Sequence, residues 1–424
     1  MQEPTPDMEN EIKSARSLQD VALFRIPPQL RAAAQSFGFD VATLPFALGI
    51  ISEASDFPLL GSDHDHKVKV YLDTKDWIAL ARARLGKAGS EKDRPIYEDL
   101  RVRAAAGEIL VPLTSSLYQE ISKIGLLRQR THLAEVIAEI SGFATFTSMK
   151  NVVCHQMRAA LASRQGLPLP APLKTLGIGV SFAHGDTRRL TIRRTDGQAI
   201  DISPELVHEL TTCGRALTEM MFLIGPTPEE IPQLRAGGYR PELVLANHAK
   251  RVAHEQQFAD MLAADPRMRA KLERIVQARH IAWELIDFIE VIAPEYGMTL
   301  ETFIAQGADW MVAFLEDVPS AAVTTTLMER NFRNSYKTWT GNDLYDADAM
   351  AVAIPYCDVV MADKHVTAQL ATSGAVTRCG TLLLSKLTDL HQRLPALIAN
   401  KQPPQSTRSQ QIRDDGQAPA ANGP

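Results

Sequence analysis

The spacing of apolar residues changes character several times along the 424 positions of the chain. Residues 1–16 and about 398–424 are rich in Pro, Gln, Ser, Asn and charge without apolar periodicity, which predicts disordered tails. Residues 17–64 carry helix-like patterns, LRAAAQSFGF and LPFALGIISEA, broken by Pro27, Pro28 and Pro45, and read as a helical lead-in. From Lys67 the run VKVYLD alternates like a strand and passes directly into the helical spacing of WIALARARLG. A helix over about 96–106 follows, then the apolar strand of EILVPL, the helix of SLYQEISKI, and further helix over 126–148 in which LAEVIAEISGF ends at a glycine.

The alternation stops near residue 150. The stretch 151–319 is mainly helical, with one predicted hairpin in GIGVSFAHGDTRRLTIRR, where alternation flanks a Gly-Asp turn. From 320 the earlier rhythm returns: DLYDADAMAVAIPY as an amphipathic helix, CDVVMAD as a short strand, KHVTAQL as a helix, and AVTRCGTLLLSKL as a last strand or short helix. Strands alternating with helices predict an α/β fold with a parallel sheet flanked by helices, its two parts at 65–150 and 320–397 split by a mainly helical insertion.

Composition sharpens the class without naming a function. Hydrophobic residues make up 45% and charged residues 22%, the balance of a globular protein. The length exceeds what one core usually supports, consistent with an inserted unit. A net charge of −5 excludes holding nucleic acid by overall positive charge and leaves only local basic patches for that role. Cys154, Cys213, Cys357 and Cys379 are scattered with no CxxC pair, so neither a zinc knuckle nor a disulfide framework is expected. The polar, acidic start and the short apolar runs predict no export signal and no membrane span, and therefore a cytoplasmic protein.

The candidate chemistry is carried by acids at strand ends. Asp73 closes VKVYLD, Glu120 lies on the helix after ILVPL, and Asp363 closes CDVVMAD. In an open parallel sheet, ligands bind beyond the carboxyl ends of strands, so these acids are expected to converge. The helix from NDLYDADAM adds Asp343 and Asp346, three apart and so on one face, with Asp348 as a solvent-facing neighbour. Carboxylates gathered in one cleft raise each other's pKa unless a cation sits among them. Mg²⁺ or Mn²⁺, which prefer oxygen ligands, suit such a cleft, and with phosphodiesters they support hydrolysis.

Taken in order, VYLDTKDWIAL, SLYQEI, DLYDADAMAVA and VVMADKHV resemble the PIN-like nuclease domain, over about 65–150 and 320–395. The resemblance implies a metal-dependent endonuclease acting on RNA, single-stranded or structured. In it Asp73, Glu120, Asp346 and Asp363 would hold Mg²⁺ or Mn²⁺, with Asp343 the rival of Asp346 for the helix-start position. Ala347, Ala351 and Ala353 fall where the family's DAxxxAxA pattern puts small residues, which favours Asp346. Two positions depart from the family: Lys75 stands for an Asn or Ser, and Ala362 for a Thr or Ser. Bacterial relatives often act as toxins or in defence, so an inhibitory or regulatory protein partner and self-association are further expectations, with the insertion selecting substrate or silencing the site.

Simpler readings compete. Asp73 and Asp363 suit helix N-caps, and Glu120 suits a solvated helix face. The segment from Asp63 to His66 reads as a polar loop, not a metal site. Arg274 and His280 have a spacing found in a helical, metal-independent class of ribonucleases, which gives one alternative function; a binding or regulatory module that keeps the fold without turnover is the other. Arg188, Arg189, Arg193, Arg194, Lys75, Lys123, Arg128 and Arg130 are candidates for phosphate contacts or for a solvated basic face. Trp77 and Trp339 are candidates for base stacking, with Trp77 read as core from its apolar helix face.

Overall fold

The computed structural model describes residues 64–185 and 219–401, apart from 221, 229 and 237. The expected tail and helical lead-in at 1–63, most of the C-terminal tail, and Arg188, Arg189, Arg193, Arg194 and Cys213 lie outside the described residues.

Strand β1 (Val68–Tyr71) is followed by α1 (Thr74–Arg84) and α2 (Arg94–Ala105), then by β2 (Ile109–Leu110), α3 (Ser115–Ser122) and α4 (Leu127–Ser141). Near the far end of the chain, β5 (Val359–Met361), α16 (Lys364–Leu370), α17 (Gly374–Cys379), β6 (Leu382–Leu384) and α18 (Leu387–Lys401) complete the pattern. Together the strands form a four-stranded parallel sheet in the order β2-β1-β5-β6. The α/β architecture expected from the alternation is therefore present.

Period-2 patterning explains how the sheet divides its two faces. Val68, Val70 and Leu72 point to one side, into a core with Trp77 and Leu80 of α1, Leu100 of α2, Ile137 of α4 and Leu394 of α18. Tyr71 points to the other side, as do Val360 and Ala362, while Val359 and Met361 join the first core. All of these side chains are within a few per cent of complete burial, each worth about 1.5–3 kcal/mol for a residue of Val, Leu or Met size. Sheet order then fixes where a site belongs. The path from β1 to β2 runs towards one edge and that from β5 to β6 towards the other, so the β1–β5 junction is the point where the winding reverses and a crevice opens at the strands' carboxyl ends.

Several segments differ from the expected elements. The helix over 126–148 stops earlier, at α4, where Gly142 adopts a left-handed φ of 52°. The chain then forms β3 (Ala144–Phe146), paired antiparallel with β4 (Leu176–Ile178). Thus the predicted hairpin is not what its first arm makes: β4 pairs with an upstream strand, Gly179 turns at φ 87°, and α6 (Gly179–Ala183) follows as a short helix. Its second arm lies outside the described residues. Helix α18 runs to Lys401, four residues into the expected tail, with Ile398 still buried.

The middle region is helical as expected. It runs through α5 (Met149–Arg164), α7 (Ile231–Ala236), α8 (Pro241–Ala264), α9 (Pro266–Arg269), α10 (Leu272–Arg279), α11 (Ile286–Ile292), α12 (Leu300–Ile304) and α13 (Ala308–Glu316). A π-helical segment, His280–Leu285, joins α10 to α11. Helix α14 (Pro319–Arg333) then leads through a short loop to α15 (Gly341–Tyr356), which covers the second face of the sheet. Among the described residues, no helix is long and apolar enough to cross a membrane.

Candidate active site

Asp73 and Asp363 are the residues at which β1 and β5 turn into helices, and each is the N-cap of the helix it starts. Oδ1 of Asp73 accepts from the amide of Thr74 at 2.7 Å, and Oδ1 of Asp363 accepts from the amide of Val366 at 2.7 Å. The capping reading is therefore correct for both, and it uses only one oxygen of each. Parallel pairing of Val70 with Val359 and Tyr71 with Val360 sets the two acids at adjacent strand ends, where neighbouring strands stand roughly 4.8 Å apart. Asp363 is among the groups that raise the Asp73 carboxyl, after burial as the leading cause and against the pull of Lys75 and the Thr74 amide.

Glu120 reaches the same place from β2. Helix α3 starts at the N-cap Thr114 just beyond that strand, and the Thr74 hydroxyl donates to Oε2 of Glu120. Burial raises the Glu120 carboxyl, as does Asp73, while the Thr74 hydrogen bond and Lys123 lower it.

Asp346 stands among these acids, brought in by α15. That helix lies close over the sheet because its inward positions are small: Ala347, Ala351 and Ala353 are at most 3% exposed, and Ser320 of α14 donates to the Ala351 carbonyl at 2.6 Å. Burial first, then Asp73, Asp363, Glu120 and Asp343, push the Asp346 carboxyl up to about 8. Every cause acts in the same direction. Among the described residues, no donor or cation stands at hydrogen-bond or ion-pair distance from it. Beneath the cluster, the buried Tyr71 phenol is held well above its usual range by burial and then by Asp73, Glu120 and Asp346.

Asp343, one turn earlier, is differently employed. Oδ1 pairs with Lys337 at 2.7 Å, and Oδ2 accepts from both the amide and hydroxyl of Thr340 at 2.8 Å, completing a capping box. It borders the same polar pocket as Asp346 and Asp363, with Asn331, His365 and Gln369 on the other walls. Both its oxygens are committed, which separates it from Asp346. Asp348 is not merely solvated, since Arg251 of α8 holds it at 2.9 and 3.2 Å.

No family model, curated protein or solved structure matches the chain. What the site can do must be read from its own donors. Four carboxylates with no thiol or imidazole between them suit a hard divalent cation in chemistry. Their present arrangement is looser than a metal cage: among the described residues, no group of three or more His, Cys, Asp or Glu side chains is arranged to hold an ion. Asp73, Asp363 and Glu120 are each turned towards a cap or a hydroxyl. Asp346 and Asp363 border one pocket, and electrostatics couples Asp73 and Glu120 to it, without a formed coordination sphere.

The other candidates are distributed elsewhere. Arg274 is exposed and pairs with Asp309 at 2.9 Å, whereas His280 is 7% exposed and held near a pKa of about 4 by burial and by Arg279. Six residues apart on a helix, they project to different sides and make no common site. Trp77 is fully buried in the core, and Trp339 is buried against Phe332, so neither offers a face to a base. His64–His66 lie in the turn before β1. Arg130 is spent on the carbonyls of Ile124 and Ile224. Lys123 stays near the cleft, its ammonium 3.9 Å from the centre of the Tyr345 ring.

Asp76 was missed, although the DTKD spacing put it one turn after Asp73. It is 5% exposed and bonds Lys75 at 2.7 Å, and burial raises its carboxyl to about 6 against the pull of Lys75. His365 and Gln369 were missed too, since a pocket wall made by one helix carries no sequence signature of its own.

Proposed function

We propose that the chain is a divalent-metal-dependent endonuclease of PIN-like type acting on RNA. One observation carries the reading: Asp346 is coupled electrostatically to Asp73, Asp363 and Glu120 at the winding-reversal point of a parallel sheet, with no cation at ion-pair distance from it among the described residues. A fold retains such a cluster at a cost in stability, which is the usual mark of a site whose charge is completed by a ligand.

Asp346, Asp73, Asp363 and Glu120 are the residues that would hold Mg²⁺ or Mn²⁺. Bound there, the ion supplies an activated water and stabilises charge on the phosphodiester. The N-cap bonds of Asp73 and Asp363 fix those two carboxylates to the ends of rigid helices, leaving Oδ2 of each for the cleft. Lys123, at the end of α3, is placed to meet a phosphate oxygen without neutralising Asp346. RNA as substrate and a regulatory protein partner come with the PIN-like resemblance.

The test is cleavage of a single-stranded RNA oligonucleotide in Mn²⁺. Wild type should cut, EDTA should stop it, and Asp346→Asn and Asp73→Asn should each abolish it. No cleavage by wild type, or equal cleavage by all three proteins, would overturn the proposal. A second reading, an RNA-binding module without turnover, is favoured by the unformed metal cage. It predicts that wild type retains the RNA uncut, with the same affinity in EDTA.

A further inference from the structure

Lys75 holds a place in the acidic cleft that helix capping does not require. It is the second residue of α1, and its ammonium turns back along the first turn, 2.7 Å from Oδ2 of Asp76 and 3.9 Å from Oδ2 of Asp73. The Asp76 side chain is 7% exposed and fixes the ammonium from within the fold. Asp73 has committed Oδ1 to the Thr74 amide, so Oδ2 is the oxygen it can offer a ligand, and that is the oxygen Lys75 faces. On the opposite side of the cleft no lysine reaches Asp346 or Asp363 at ion-pair distance among the described residues, the nearest pairing there being that of Lys337 with Asp343. Oδ2 of Asp363 has no hydrogen-bond partner among the described residues, every influence on Asp346 raises it, and Lys337 is engaged by Asp343. Of Asp73, Glu120, Asp346 and Asp363, only Asp73 therefore has a lysine within ion-pair distance among the described residues.

Two positive centres commonly serve phosphodiester hydrolysis, one near each of the attacking and departing oxygens. A fixed ammonium beside Asp73 disfavours a second dication on that side of the cleft, without keeping Asp73 from sharing one held with Asp346 and Asp363. Resting on the metal-dependent reading above, we propose that Lys75, tethered by Asp76, is a resident cation that limits this site to a single divalent ion and stands where a second ion would otherwise bind.

Calorimetric titration of the full chain with Mn²⁺, together with the electron paramagnetic resonance of the bound ion, tests this without reference to cleavage. Wild type and Lys75→Arg should each take one Mn²⁺ with the signal of an isolated ion. Lys75→Ser should bind its first Mn²⁺ at least tenfold more tightly and take a second, spin-coupled one. Because Lys75→Ser leaves the buried Asp76 without its partner, Lys75→Ser/Asp76→Asn is measured beside it, with the same tightening expected. Two ions in wild type, or unchanged affinity and stoichiometry in both serine variants, would overturn the role of Lys75. Failure of every variant to bind Mn²⁺ would instead overturn the metal-dependent reading, and this inference with it.

Discussion

Two charged clusters lie against α15 and are built on opposite terms. Around Asp346 the neighbours are Asp73, Asp363, Glu120 and Asp343; Lys75 pairs with Asp76 and reaches Asp73 at 3.9 Å, and Lys337 pairs with Asp343. Two residues further along, Asp348 is held by Arg251 of α8. Behind it Glu255, one turn on, bonds Arg279, whose other nitrogen lies 3.9 Å from Glu284. In that ladder each of the three acids faces an arginine, with Arg279 shared between Glu255 and Glu284 and its guanidinium lying against the rings of Phe258 and Trp283. Charge that serves architecture is paired acid by acid, whereas in the cleft Asp346 meets no cation at ion-pair distance among the described residues.

The comparison breaks if removing a charge has the same consequence in both places. The largest effect is expected in the ladder: Arg279→Ala leaves Glu255 buried and unpaired, and urea unfolding should show a loss of about 3–5 kcal/mol. A rise in stability would show that Arg279 does not hold Glu255 in place. In the cleft, Asp363→Asn keeps the shape and removes a charge, so Mn²⁺-dependent RNA cleavage should fall about 10²- to 10³-fold while the protein folds normally. Unaltered cleavage would remove Asp363 from the chemistry.

The third expectation concerns pH. Asp346 is raised in the folded chain, from an ordinary value of 3.8 to about 8, so the native state binds the extra proton. Its ionisation therefore weakens the fold as pH climbs from about 4 to about 8, and the penalty is absent below that window and complete above it. Each tenfold change in this equilibrium is worth about 1.4 kcal/mol, so Asp346→Asn should be more stable than wild type at pH 8 by at least that amount and indistinguishable at pH 4. An equal difference at both values would mean that the carboxyl is not perturbed. Saturating Mn²⁺ should flatten or reverse the wild-type slope, because it favours the ionised carboxylates, and at a hundredfold excess over Kd it should stabilise by about 2.7 kcal/mol. The smallest effect is expected far from both clusters: Arg274→Ala removes an exposed ion pair and should cost under about 1 kcal/mol, with cleavage unaffected.

The sheet was legible because its strands are short, β-branched and followed at once by helical spacing, as in VKVYLDTKDWIAL and CDVVMADKHV. Convergence of Asp73 with Asp363 followed from the same pattern, since parallel strands carry their ends to one edge. Asp346 and Asp343 could not be told apart from spacing. What separates them is Lys337 and Thr340, whose reach depends on how the loop before α15 folds. Strand β3 escaped notice because ATF is three residues hidden behind a helix, and its partners, Leu113 and β4, are set by tertiary pairing. Arg274 and His280 shared a motif spacing only in the written sequence. The ladder was invisible for a comparable reason, as its members come from α8, α10 and α15, and nothing local couples them.

Helix α14 contributes Ala321 to one apolar cluster with α5 and α13, Val323 and Leu327 to the sheet's second face, and Phe332 to a third cluster under α8. A single rod shared by three interiors cannot melt for one of them alone. Heating should therefore release the sheet's second face and the helical bulk in one step, and a trimmed fragment ending before residue 319 or beginning after 333 would lack a wall on every side it needs.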